Sequence, residues 1–212
     1  MIEVDVEQGS AAWAALRLGL PTASCFDRIV SPKKLQASSQ APAYRNQLLA
    51  EWLLGYPMDF GGSQWTQRGT GMEAEARAYF ELQNDVEVRR VGFCLRDDGK
   101  AGCSPDGLIG EDEGLELKCP GIHTHIGYLL SPLSLLDEHR SQVQGGLYIT
   151  GRERWHLLSY HPNLPAVHVV VEPDAKHVAA LAAGLDVFIE RLDAAKERLA
   201  QYRTVRVTEA AA

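Results

Sequence analysis

The stretch CSPDGLIGEDEGLELKCP, residues 103–120, gathers Asp106, Glu111, Asp112, Glu113 and Glu116 around one cation, Lys118. The alternation in LELK predicts a short strand, on which side chains two apart share a face. Glu116 and Lys118 then stand on one side and Leu115 and Leu117 on the other. A carboxylate beside an ammonium, with Asp106 delivered ten residues earlier by a Pro-Asp-Gly turn, has the make-up of a metal site with a catalytic lysine next to it. The bland alternatives are a solvated acidic loop and a surface Glu116–Lys118 ion pair that stabilises little. Glu111, Asp112 and Glu113 read as the exposed tip between two strands and not as ligands.

These residues need elements to hold them. SAAWAALRLG predicts a helix capped by Ser10, carrying Trp13, Leu16 and Arg17 and ended by Gly19. A second helix starts near Ser24 or Cys25 and stops before Pro32; residues 31–43 read as an exposed loop, and residues 44–54 return to helical spacing. GYPMDFGGSQWTQRGTG reads as a long irregular link holding Trp65 and Arg68, running into a helix with Glu73 in its first turn, where the helix dipole favours a carboxylate. Residues 86–96 alternate as a strand, DDGK is a turn, and two further strands around CSPDGL and LELK complete an antiparallel meander. After Pro120 the pattern loosens until a helix bearing Gln142, followed by strands at RWHLLSY and AVHVVVE. The last segment, about 174–201, spaces Val178, Leu181, Leu185, Phe188, Leu192, Ala195 and Leu199 as one narrow helical stripe for packing on its own sheet.

The chain has 212 residues, 45% apolar and 23% charged, and nothing in it breaks it in two, so a single domain over residues 1–212 is expected and wholesale disorder is excluded. The net charge of −7 argues against a general nucleic-acid coat, which needs many Lys and Arg contacts to phosphate, but leaves room for basic groups lining one channel. The four cysteines, Cys25, Cys94, Cys103 and Cys119, form no CxxC pair and read as free thiols. MIEVDVEQGS is no secretory signal and no apolar run approaches membrane-spanning length, so the expectation is a soluble, cytoplasmic protein.

Pro105-Asp106 followed by Glu116-Leu117-Lys118 across a hairpin, with helices before and after, resembles the PD-(D/E)xK nuclease superfamily. The flanks sharpen this. EQGSAAWAALRLGLPTAS, ACSPDGL with GLELKCP, and QVQ followed by an aromatic-rich strand and YHP closely resemble the YqaJ-type viral recombinase family of phage alkaline exonucleases, from about residue 7 to about residue 200. The resemblance implies an α/β (α+β) fold, a restriction-endonuclease-like core with a central mixed sheet flanked by helices. It implies a processive 5′-to-3′ exonuclease on double-stranded DNA ends that prefers a 5′-phosphate, releases mononucleotides and leaves a 3′ single strand for recombination with a single-strand annealing protein. It also implies a ring-shaped homotrimer, and Mg2+ as cofactor with Mn2+ as a substitute.

Phosphodiester hydrolysis needs an activated water and charge neutralisation at the phosphate, both of which a bound divalent ion supplies. Asp106 and Glu116 are the expected ligands, and the resemblance adds the backbone carbonyl of Leu117. Lys118 then holds the attacking water and offsets developing charge. The resemblance matches Glu73 to the upstream helix carboxylate of the site and Gln142 to its downstream glutamine, against capping and surface roles. It assigns Arg17, Ser24 and Ser104 to the terminal 5′-phosphate, for which a guanidinium fork and two hydroxyls are suited. Where the family carries an apolar wedge that splits terminal base pairs, this chain has SQWTQRG, so Trp65 either takes that place by stacking on bases or packs in a core. The competing readings are a PD-(D/E)xK endonuclease, a Cas4-like nuclease, and a catalytically silent DNA-end-binding module. A Cas4-like enzyme needs four cysteines for an iron–sulfur cluster, yet Cys103 and Cys119 flank the site and no cysteine follows Cys119. Retention of Asp106, Glu116 and Lys118 together argues against the silent module.

Overall fold

The structure, a computed structural model, describes residues 1–58 and 64–202, without the side chains of residues 64–70. The chain opens with β1 (Ile2–Val4) and α1 (Ala11–Arg17), then a 3-10 helix (Ala23–Arg28), α2 (Ala41–Leu54) and α3 (Gln64–Asn84). Four short strands follow: β2 (Phe93–Leu95), β3 (Gly102–Cys103), β4 (Gly107–Ile109) and β5 (Glu113–Lys118). The remainder is α4 (Ile122–Leu130), α5 (Pro132–Thr150), β6 (Arg154–Ser159), β7 (Val167–Val171) and α6 (Ala175–Gln201). The helix ends obey local chemistry. Ser10 accepts from the Trp13 amide at the start of α1, Asp174 accepts from the Lys176 and His177 amides at the start of α6, and Gly55 and Gly151 close α2 and α5 in the left-handed conformation.

The strands form two sheets. One is β1-β2-β3, antiparallel throughout; the other is mixed, in the order β4-β5-β6-β7, with β5 and β6 parallel and both outer pairs antiparallel. Along β5, Leu115 and Leu117 join Ala76 and Phe80 of α3 in a core on one face. On the other face, Trp155 and Leu157 of β6 pack with Val143 and Leu147 of α5 and Tyr128 of α4. Trp155 lies flat against two glycines: a Cβ on Gly114 or Gly146 would come within 2.5 and 2.7 Å of its ring. A third core joins α2, α6, the 3-10 helix and the small sheet through Phe26, Leu48, Cys94 and Leu185.

Several expectations are corrected. The link expected through residue 71 gives way to helix from Gln64, so Glu73 sits in the third turn of α3 and has no place in a first-turn cap. Two glycines, Gly69 and Gly71, hide that helix from propensity, and tertiary context overrides them. The strand expected over 86–96 shrinks to Phe93–Leu95, because the Glu81 carboxylate takes the Val88 amide (2.8 Å) and Arg89 makes only an isolated bridge with Leu108. The expected meander is broken: β2 and β3 belong to one sheet and β4 and β5 to the other. The 3-10 helix replaces the second expected helix, and β1 and α4 had no expectation at all. All four cysteines are free, and among the described residues no helix is long and apolar enough to cross a membrane.

Candidate active site

Strand β5 delivers Glu116 and Lys118 to the face turned toward α5, opposite Leu115 and Leu117. Glu116 is 5% exposed, so the pair is no surface ion pair. Lys118 Nζ donates to Glu116 Oε1 at 2.7 Å and to Gln142 Oε1 at 3.0 Å, while Gln142 Nε2 donates to the same Glu116 oxygen at 2.5 Å. A closed triangle therefore joins the two β5 side chains to α5 and sets the lysine's direction. Burial by itself pushes the Lys118 ammonium down, and the charges of Glu116, Asp106 and Glu73 outweigh it, so the group is held above its ordinary range and stays cationic.

Asp106 enters from the turn before β4. Its Oδ2 accepts from the Leu117 amide at 2.6 Å, and its own amide donates to the Leu115 carbonyl at 3.0 Å. In a strand the N–H and C=O of one residue point to the same edge, so the Leu117 carbonyl is on the Asp106 side of β5. Asp106 is half-buried as a residue, with its carboxyl among protein atoms. Burial first, then the charges of Glu116 and Glu73, hold that carboxyl well above the usual carboxylate range. Glu73 on α3 is near enough for its charge to act on Asp106, Lys118 and Cys119. Among the described residues no three His, Cys, Asp or Glu side chains converge as a metal cage. The available donor set is two carboxylates, Asp106 and Glu116, and one backbone carbonyl. Hard oxygen donors in that number suit Mg2+, which is held by one or two carboxylates and keeps several waters.

Arg17, Ser24 and Ser104 also come together. Arg17 Nη1 donates to Ser104 Oγ at 3.3 Å, and Ser24 Oγ lies 3.3 Å from Thr22 Oγ1. These residues line a small cavity of about 60 Å3 whose wall also includes Glu116 and Gln142. Burial lowers the Arg17 guanidinium from its ordinary value, which still leaves it charged. Trp65 stands on α3, and its side chain lies outside the described residues. Glu111 and Asp112 are exposed, whereas Glu113 is half-buried in β5 and bonded to Arg154 and His156.

The structure adds residues that sequence reasoning missed. Trp13 donates its indole N–H to Ser104 Oγ at 3.0 Å and carries the Arg17 guanidinium over its ring at 4.1 Å, so it orients two of the three cavity groups. Its position one helical turn before Arg17 was the available signal. Gln8 ties the loop ahead of Asp106 by donating to the Val91 and Pro105 carbonyls, both at 2.8 Å. Arg77, one turn beyond Glu73, donates to the Asp106 carbonyl at 3.3 Å.

A mixed sheet with carboxylates and a lysine at one strand, closed by helices on both faces, defines a nuclease of the PD-(D/E)xK type. Solved structures agree. The alkaline exonuclease LHK-Exo of Laribacter hongkongensis is 28% identical, with a TM-score of 0.81 over 91% of this chain and 97% of that one. LHK-Exo in complex with dAMP gives 29%, 0.80, 90% and 96%. A phage-related exonuclease of Haemophilus somnus 129PT, 12% identical with a TM-score of 0.70 over 85% of this chain and 96% of that one, shares the fold. The chain belongs to the YqaJ-like viral recombinase domain family, matched over residues 12–153. No curated protein sequence matches it.

Proposed function

We propose that this nuclease is a Mg2+-dependent, processive 5′-to-3′ exonuclease on double-stranded DNA ends. It prefers a 5′-phosphate, releases mononucleotides and leaves a 3′ single strand for annealing. The observation that carries the reading is the cavity in which Arg17, Ser24 and Ser104 share walls with Glu116 and Gln142. A terminal phosphate monoester held by the first three groups brings the next phosphodiester toward the carboxylates.

Asp106, Glu116 and the Leu117 carbonyl would hold Mg2+, which when bound lowers the pKa of a water and neutralises charge on the scissile phosphate; Mn2+ fits the same donors. Lys118, fixed by Glu116 and Gln142, holds the attacking water and faces the charge that develops on the phosphoryl oxygens. Gln142 keeps Lys118 in register, and Glu73 adds to the negative field that keeps it protonated. The water's oxygen–phosphorus bond forms as the bond from phosphorus to the 3′ oxygen breaks, with the proton passing to that leaving oxygen through solvent. The new strand end then carries a 5′-phosphate, the group that Arg17 and its two serines suit, which accounts for repeated cleavage without release. On the same reading the chain works as a ring-shaped homotrimer in the cytoplasm with a single-strand annealing protein as partner.

The test compares linear duplexes bearing a 5′-phosphate or a 5′-hydroxyl with a closed circle, in Mg2+ and in EDTA. Progressive loss from phosphorylated ends, slower loss from hydroxyl ends and an intact circle are expected, with no loss in EDTA. Lys118→Met should lower the rate about 10²–10³-fold, and Asp106→Ala should abolish it while end binding persists. A cut circle would point to an endonuclease, and binding without hydrolysis to a silent end-binding module.

A further inference from the structure

A hydroxyl carries one proton and two lone pairs, so the bonds its oxygen accepts decide where its proton goes. Ser104 Oγ meets two groups that can only donate, the Trp13 indole N–H at 3.0 Å and Arg17 Nη1 at 3.3 Å. Both lone pairs are thereby taken. Indole and guanidinium nitrogens are donors in every state they adopt, so the count does not depend on how protons are assigned. The Ser104 proton leaves along the remaining direction, and among the described residues no side chain or carbonyl accepts it. Ser104 lines the active-site cavity of about 60 Å3, and its proton is therefore offered to whatever enters there.

The groups that make this contact are held from several sides. Trp13 lies one helical turn before Arg17 on α1, its own amide bonded to the Ser10 cap at 3.1 Å and its ring under the Arg17 guanidinium at 4.1 Å. Ser104 follows β3, where the Gly102 amide donates to the Pro21 carbonyl at 3.1 Å. It precedes Pro105, whose carbonyl accepts from Gln8 at 2.8 Å. Trp13 itself has no place in the cavity wall, so it acts on a bound group only through Ser104. This edge of the cavity consists of donors. A phosphate monoester presents three acceptor oxygens to them, whereas a terminal hydroxyl presents one oxygen and brings a proton of its own. That proton is poorly received: Glu116 Oε1 and Gln142 are already bonded to each other and to Lys118.

We infer that Trp13 is a specificity-determining positioning residue, which separates phosphorylated from hydroxyl ends by keeping the Ser104 hydroxyl a donor toward the cavity; this rests on the reading of that cavity as the 5′-phosphate site. With the indole N–H removed, Ser104 Oγ regains a lone pair and its proton is free to turn. The cavity edge then accepts as well as donates, and the two kinds of end become more alike.

The experiment measures kcat and KM of the full chain in Mg2+ on linear duplexes bearing a 5′-phosphate or a 5′-hydroxyl, and takes the ratio of kcat/KM between the two ends. Trp13→Phe keeps an aromatic face under Arg17 while removing the N–H. It should narrow the ratio about fivefold, chiefly by raising KM for the phosphorylated end. A merely structural defect lowers both ends together and leaves the ratio where it was. Ser104→Ala should narrow the ratio at least as much, and adding Trp13→Phe to it should narrow it no further, since the indole acts through that hydroxyl. A parent that prefers phosphate and a Trp13→Phe variant with the same ratio overturn the inference alone. Effects of the two substitutions that multiply in the double variant overturn it as well. Equal rates on both ends in the parent overturn the phosphate reading and the inference with it. If Trp13→Phe does not fold, Ser104→Ala decides: a narrowed ratio supports the donor role of the hydroxyl, and a full preference overturns it.

Discussion

Asp106 carries a burial penalty that the Leu117 amide and the Lys118 charge only partly offset. An acid whose native pKa is raised stabilises the fold while protonated: its contribution is complete below the ordinary carboxylate range and is lost as pH rises through the native value. In EDTA the melting temperature of the native chain should therefore fall with rising pH, and Asp106→Asn should melt higher than the parent at pH 8. Added Mg2+ should raise the parent and leave the variant unmoved. Identical pH profiles for the two proteins in differential scanning fluorimetry would refute the assignment of the buried charge. His139 works in the opposite direction. Burial, and then the Lys118 charge, bring its imidazole down from 6.5 to about 4. A depressed histidine stabilises fully above its unfolded value and loses that contribution as pH falls from about 6.5 toward 4, on the order of 3 kcal/mol at the acid end. His139→Gln should flatten that part of the acid limb in urea titrations at pH 7 and pH 4.5.

At the scale of elements, the β4–β5 hairpin owes its shape to a residue outside it. Arg152, 6% exposed, donates from Nη1 to the carbonyls of Ile109, Gly110 and Glu113 at 3.2, 3.0 and 2.9 Å. It thus closes the turn that sets Asp106 opposite Glu116. Arg152→Ala strands those carbonyls and should cost about 2–4 kcal/mol by urea denaturation. Arg152→Lys, which would bury a strongly hydrated ammonium in place of the guanidinium, should recover less than half. The hairpin itself was legible: the Pro-Asp-Gly turn and the alternation of LELK are local signals, and they put Glu116 and Lys118 on one face. The parallel pairing of β5 with β6 was not legible, because residues 118 and 154 are joined through α4 and α5 and register is set by what those helices cover. Helix α4 itself was hidden by an N-terminus at Gly121 with no side-chain cap and by Gly127; burial of His125 and Tyr128 supplies what local propensity lacks.

For the whole molecule, α6 is the brace. Leu185, fully buried, ties α6 to α2 and to the 3-10 helix that carries Ser24. Leu185→Ala should cost about 2–5 kcal/mol. If residues 1–202 unfold as one cooperative unit, far-ultraviolet circular dichroism and tryptophan fluorescence should shift together in that variant; separated transitions would divide the chain into independent parts. The amino-acid sequence alone determined the chemistry on offer: two carboxylates and a lysine at strand spacing, an arginine and serines placed far away along the chain, and the family they resemble. Those properties depend on residue type and short-range periodicity. Only the tertiary structure decided that Gln142 meets Lys118, that Trp13 holds Arg17 to Ser104, and that Glu73 sits deep in a helix and not at its cap. Each of these depends on contacts between residues distant in sequence, whose free energy comes from burying surfaces that no local pattern records.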